Sequence, residues 1–157
     1  MSAAQGVLVI GYGNPLRGDD GAGWRAAELL ALDPRLQGAT VLARHQLTPE
    51  LAEDVSQATL LVLVDASEEP GTAGRVSTAR VTATPTSGPV FTHHVDAAGL
   101  VQLAATLFGQ SPPAVQVTVR VADVQPGTTL SPQVEGAMAN VVDAVVDVIQ
   151  EQQKHNA

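Results

Sequence analysis

Short apolar runs of strand length alternate with longer stretches of helical spacing along this chain, and that alternation restricts its fold to the α/β class. The first run, residues 7–10, leads into a glycine-rich loop and a helical pattern over residues 22–31. A second strand is expected at residues 40–44. Thr48 then reads as an N-cap, with Pro49 at the first helical position and Glu50 beside the positive end of the dipole, opening a helix to about Gln57. Strands follow at residues 60–64 and near 75–81. After a stretch rich in Pro, Gly and Thr come a helix over about 95–108 and a strand over 115–121. Ser131 and Pro132 repeat the cap pattern before a last helix to about Gln150. No repeat or low-complexity linker interrupts the series, so one domain over 1–157 is expected. Aromatic residues are 3% of the chain against 45% hydrophobic, so Val, Leu and Ala must build the core.

One connection fixes a strand direction. Residues 66–74 contain Pro70, Gly71 and Gly74 and no helical pattern, whereas a right-handed crossover between parallel strands needs a dozen or more residues. The fourth strand should therefore run antiparallel to the rest. It would end at the amino edge of the sheet, and residues 82–92 must return to the carboxyl edge. About ten extended residues reach roughly 33 Å, which is ample. His93 then arrives where the loop after the first strand and Asp65, closing the third, already lie. That is the edge at which open α/β sheets bind ligands.

Composition removes several functions. Eight basic against sixteen acidic residues give a formal charge of −8, which repels phosphate backbones and anionic lipid. The absence of Cys removes disulfides, thiolate metal sites and Cys nucleophiles together, leaving oxygen and imidazole groups for any chemistry. The longest apolar runs are strand-sized and the first residues carry no basic region, so a cytoplasmic protein without a membrane span is expected.

The loop Gly11-Tyr12-Gly13-Asn14-Pro15-Leu16-Arg17-Gly18-Asp19-Asp20-Gly21-Ala22-Gly23 invites comparison with nucleotide-binding loops and fits them poorly. The glycine spacing is wrong, no Lys-Ser/Thr follows, and Arg44-His45 stands where a ribose-binding acid is expected. Two adjacent carboxylates would also repel a pyrophosphate. The bland alternative is a tight turn whose acids cap a helix, which accounts for Asp19 but leaves Asp20 without a task. Asp65 can be a polar strand end, and His93 or His94 a surface residue before a helix. Taken together, Asp20, Asp65 and a histidine offer a set that can hold a borderline divalent metal and leave positions open. His45 and Gln46 read as loop residues at the same edge, His155 as part of a disordered polar tail, Asp96 as a helix-entry acid, and Glu53-Asp54 and Glu68-Glu69 as solvated charge. No Ser stands in a G-x-S-x-G elbow.

These residues resemble the hydrogenase maturation peptidases. The family pattern G-x-G-N-x-L-x-x-D-[DE]-G-x-G is matched throughout Gly11 to Gly23. An apolar strand ending in Asp-Ala is similar to Leu61 to Ala66, and a Ser/Thr-His before a Leu-rich helix is similar to Thr92-His93 with Leu100 and Leu103. Gly127-Thr128-Thr129-Leu130-Ser131-Pro132 resembles the lead into the family's last helix. The resemblance implies a three-layer α/β/α sandwich with a mixed five-stranded sheet of order 2-1-3-5-4 and the fourth strand antiparallel. It implies an endopeptidase that removes the C-terminal extension from the large-subunit precursor of a [NiFe] hydrogenase after nickel insertion. It places the metal-recognising, metal-assisted catalytic groups at Asp20, Asp65 and His93, with nickel carried by the precursor rather than held by the enzyme. One rival reading uses the same three residues in a non-catalytic metal-dependent checkpoint or chaperone for the loaded precursor; another, a nucleotide-binding domain, is disfavoured by the acidic loop.

Overall fold

The protein is described by a computed structural model for residues 4–83, 95–122 and 124–156. Five strands, β1 (Val7–Tyr12), β2 (Thr40–Arg44), β3 (Leu60–Ser67), β4 (Val76–Arg80) and β5 (Ala114–Arg120), form one sheet in the order β2-β1-β3-β5-β4. β1 pairs in parallel with β2 and β3, and β3 in parallel with β5, whereas β4 lies antiparallel on β5. The short link before β4 therefore reverses the chain as its length requires.

Among the described residues, four α-helices cover the sheet: α1 (Ala22–Ala31), α2 (Ala52–Gln57), α3 (Ala97–Phe108) and α4 (Pro132–Asn156). Alternation along the central strands sorts their side chains between two cores. Val7, Val9, Val62, Val64, Val117 and Val119 pack with α1 and α4, while Leu8, Ile10, Leu61 and Leu63 pack with α2 and α3. Both faces of β1 and β3 are thus covered, which explains why these strands read as nearly unbroken apolar runs.

Several local expectations need correction. β3 continues three residues past Val64, because Asp65, Ala66 and Ser67 pair with Thr118, Val119 and Arg120; Asp65 lies within the strand rather than closing it. The helix expected from Thr48 begins as a 3-10 turn, Pro49–Leu51, and the Thr48 side chain makes no capping bond. α3 starts at Ala97, where Asp96 accepts from Gly99 N at 2.7 Å, and Gly109 ends it in the left-handed conformation, φ 78°. α4 runs on through His155, which was expected in a disordered tail but lies within the helix, 3.4 Å from Glu151. The return path over residues 82–92 lies largely outside the described residues.

Candidate active site

β1 leads into the acidic loop through two tight approaches. At Gly13, with φ 145°, a side chain would run into the carbonyl of Asp20. At Gly23 a Cβ would meet the carbonyl oxygens of Tyr12 and Val64, so only glycine lets α1 lie this close to β1 and β3. The loop then turns through a 3-10 segment, Gly18–Gly21, which carries both acids.

The two acids do different work. Asp20, half-buried, accepts from Asn14 N at 3.0 Å and so closes the loop on itself. Asp19 is fully buried and accepts from Ala122 N at 2.8 Å, Ser131 N at 2.7 Å and Ser131 Oγ at 2.8 Å. Neither side chain caps α1, whose N-cap is Gly21. The capping role expected for Asp19 is therefore replaced by a longer-range one. Its carboxylate ties the first loop to the β5–α4 connection and to Ser131, whose own Oγ accepts from Val134 N at the start of α4. Gly18 N to Gly127 O and Gly127 N to Leu16 O, both at 2.9 Å, add a second tie between the same segments.

Asp65 faces the α2/α3 side with Leu61 and Leu63, at the carboxyl end of β3. Burial raises its pKa to about 6; the Ala66 N–H, donating at 2.8 Å, and the Tyr12 hydroxyl act against that rise, while the charge of Asp20 adds to it. Tyr12 approaches from β1 on the same face, and Gln116 Nε2 reaches over from β5 to donate to Tyr12 Oη at 2.7 Å. Burial first, and the Asp65 charge second, raise the pKa of the phenol, so it stays protonated and can donate to Asp65.

Among the described residues no three His, Asp or Glu side chains are grouped to hold a metal. His93, the third expected member of the set, and its neighbour His94 lie outside them. The described chain resumes at the same edge: Val95 N donates to Leu47 O at 3.1 Å, and the charge of Asp96 reaches Tyr12. Asp20 and Asp65 suit the hard oxygen half of a borderline metal's needs, and Asp65 is orientated by its own hydrogen bonds. His45 is exposed and its ring lies edge-on to Trp24 at 5.0 Å, which accounts for it without a ligand role.

Sequence reasoning passed over Tyr12 and Gln116. A signal was present in the fifth strand, where Gln116, Thr118 and Arg120 alternate with Val115, Val117 and Val119. A strand interior to a covered sheet should be apolar on both faces, so a polar face points to a site there.

No family model matches the chain, and a comparison with curated proteins finds no match. Solved structures do match. A hydrogenase 2 maturation peptidase from Thaumarchaeota archaeon SCGC_AB-539-E09 is 26% identical, with a TM-score of 0.70 over 92% of this chain and 97% of that one. The hydrogenase maturating endopeptidase HybD from E. coli is 21% identical, with a TM-score of 0.69 over 93% of each chain. The [NiFe] hydrogenase maturation protease HycI from Thermococcus kodakarensis KOD1 is 18% identical, with a TM-score of 0.68 over 92% of each. At the latter two identities the likeness is one of fold. The pattern carried by the first loop and the likeness of the whole fold thus lead separately to one assignment: over nearly its entire length this chain resembles the hydrogenase maturation peptidases.

Proposed function

We propose that the protein is the endopeptidase that removes the C-terminal extension from the large-subunit precursor of a [NiFe] hydrogenase once nickel has been inserted. What supports this reading is the placement of the loop that carries Asp20 after β1 and of Asp65 near the end of β3, at one carboxyl edge of a fold shared with proteins named as hydrogenase maturation endopeptidases. Nickel enters as part of the substrate. Asp20, Asp65 and His93 complete its coordination, which registers the precursor so that one peptide bond lies against the site. Hydrolysis breaks the C–N bond, delivers the oxygen of water to the carbonyl carbon and leaves the proton on the departing amine.

The chain's own residues supply orientation. Tyr12 and the Ala66 N–H hold Asp65, Gln116 in turn holds the Tyr12 hydroxyl, and the Asn14 N–H holds Asp20. With no Cys, the enzyme presents no thiolate to compete for the precursor's nickel. A cytoplasmic place of action belongs to this reading and rests on the sequence alone. Incubation with purified nickel-loaded precursor, followed by mass spectrometry, tests it. Loss of a single C-terminal peptide is expected; stable binding without shortening would favour the checkpoint reading instead.

A further inference from the structure

The tip of the acidic loop is tied down on both sides. Leu16 N donates to Asn14 Oδ1 at 2.9 Å, and Leu16 O accepts from Gly127 N at 2.9 Å, so both polar groups of its backbone are met. Arg17 forms a bridge with Gly127, whose carbonyl accepts from Gly18 N. Asp19 grips the far end of the same connection through Ser131. Leu16 thus stands on a fixed backbone, yet its side chain is 60% exposed.

A single exposed Leu is ordinary on a protein surface, and its place in the fold sets this one apart. Among the described residues, the other large apolar side chains left exposed are Leu32, just after α1, and Leu107 and Phe108, which end α3. Those helix ends lie at the amino edge of the sheet, where β2 and β5 begin. Leu16 stands at the carboxyl edge, in the loop that carries Asp20. Gly127, which bonds to it, also lines a hollow of about 320 Å³ formed by Gly18 and residues 125–127 and 129–131. None of the described residues lining that hollow carries a charge, on a chain whose formal charge is −8. A Cβ at Gly127 would meet nothing within 4 Å, so the connection is open on that side. An apolar side chain on an ordered backbone, beside a neutral hollow, can bury surface against a partner without first ordering a loop.

We propose that Leu16 and this hollow form the docking point for a neutral, apolar segment of the precursor, which sets where the nickel-bearing end meets Asp20. The proposal rests on the peptidase reading and adds to it a contact that needs no metal. A second copy of this chain seated on Leu16 would stand over the Asp20 loop and obstruct it, which favours the substrate as occupant.

The test measures cleavage of nickel-loaded precursor by the wild type, Leu16→Gln, Leu16→Met and Thr129→Trp, together with the melting temperature and sedimentation of each enzyme alone. Thr129 is exposed and lines the hollow, so Thr129→Trp fills it. Because Leu16 is mostly exposed, Leu16→Gln should melt with the wild type. Its KM should rise roughly five- to thirtyfold, the scale of the apolar burial it forgoes, with kcat changing little. Thr129→Trp should raise KM as well, whereas Leu16→Met keeps the apolar volume and should recover most of the wild-type value. An unchanged KM in Leu16→Gln or in Thr129→Trp overturns the proposal, as does an equal rise in Leu16→Met, which would point to loop geometry instead. A wild-type dimer that Leu16→Gln dissociates, with KM unaltered, would assign the ridge to a second copy and overturn it too. Should the wild type cut no precursor, the peptidase reading fails by itself and binding decides this one. Loaded and nickel-free precursor are then titrated against immobilised wild type and Leu16→Gln. Weaker binding of both forms by Leu16→Gln supports the docking point; equal binding, or none by the wild type, removes it.

Discussion

Asp19 and Asp20 adjoin in sequence, yet Asp19 ties the loop to the β5–α4 connection, whereas Asp20 closes the loop on itself and is the proposed site residue. Replacing Asp19 by Asn puts an amide where the carboxylate accepts from Ala122 N, Ser131 N and Ser131 Oγ, leaving at least one buried donor unmet at a cost of about 1–3 kcal/mol. Asp19→Asn should therefore melt several degrees lower while the molecules that remain folded still cleave. Asp20→Asn should melt close to the wild type and fail to process loaded precursor; thermal melts beside a cleavage assay read both, and the opposite ranking would mean the loop register is off by one. Asp65 carries a pH signature. Its folded pKa of about 6 lies above the unfolded value near 3.9, so the native state favours the protonated form. That contribution is full below about pH 4 and is lost as pH rises through 6, so at pH 8 the ionised group costs stability. Asp65→Asn should accordingly gain up to about 3 kcal/mol over the wild type at pH 8 and little at pH 4, while losing processing at both. For the histidines, the resemblance selects His93: His93→Ala should abolish cleavage and His94→Ala leave it measurable, and a dead His94→Ala beside an active His93→Ala would move the ligand by one residue.

Element packing turns on where a side chain has no room. Gly23 lets α1 rest against the carbonyls of Tyr12 and Val64, whereas Gly136 on α4 has nothing within 4 Å of the position its Cβ would take. Gly23→Ala should thus cost at least about 1–3 kcal/mol through backbone displacement, and Gly136→Ala should gain about 0.8–1 kcal/mol from helix propensity. Urea midpoints of the two variants should move in opposite directions. The succession of the elements and the reversal of β4 were legible because they follow from local pattern and from the length of one connection, whereas the order of the strands in the sheet came from the family resemblance. The reach of β3 through Ser67 was not, because it depends on pairing with Arg120 on a strand far along the chain. The task of Asp19 was hidden for the same reason: its partners are 103 and 112 residues away, and a short-range cap was the best explanation that neighbouring residues offered.

At the scale of the whole molecule, three segments distant in sequence meet at one edge of the sheet. The acidic loop follows β1, Asp65 lies near the end of β3, and the chain entering α3 returns beside Leu47. Such a site has carboxylates to offer but no thiolate, and the chain carries a formal charge of −8. Carboxylates and at most one imidazole bind a borderline metal less firmly than thiolates do, so free nickel should bind this protein only modestly. Metal already seated on the precursor is a different ligand, because its fixed position converts weak coordination into recognition of the whole substrate. Under the proposed function, selectivity for loaded over empty precursor resides in the metal contact, not in the peptide alone. Precursor prepared without nickel should stay uncut under conditions in which loaded precursor is shortened, and nickel added to the enzyme alone should not restore the reaction. Intact-mass measurement of both reactions after equal times reads the outcome. Efficient cleavage of rigorously nickel-free precursor would show that Asp20 and Asp65 serve the hydrolysis without reading the metal.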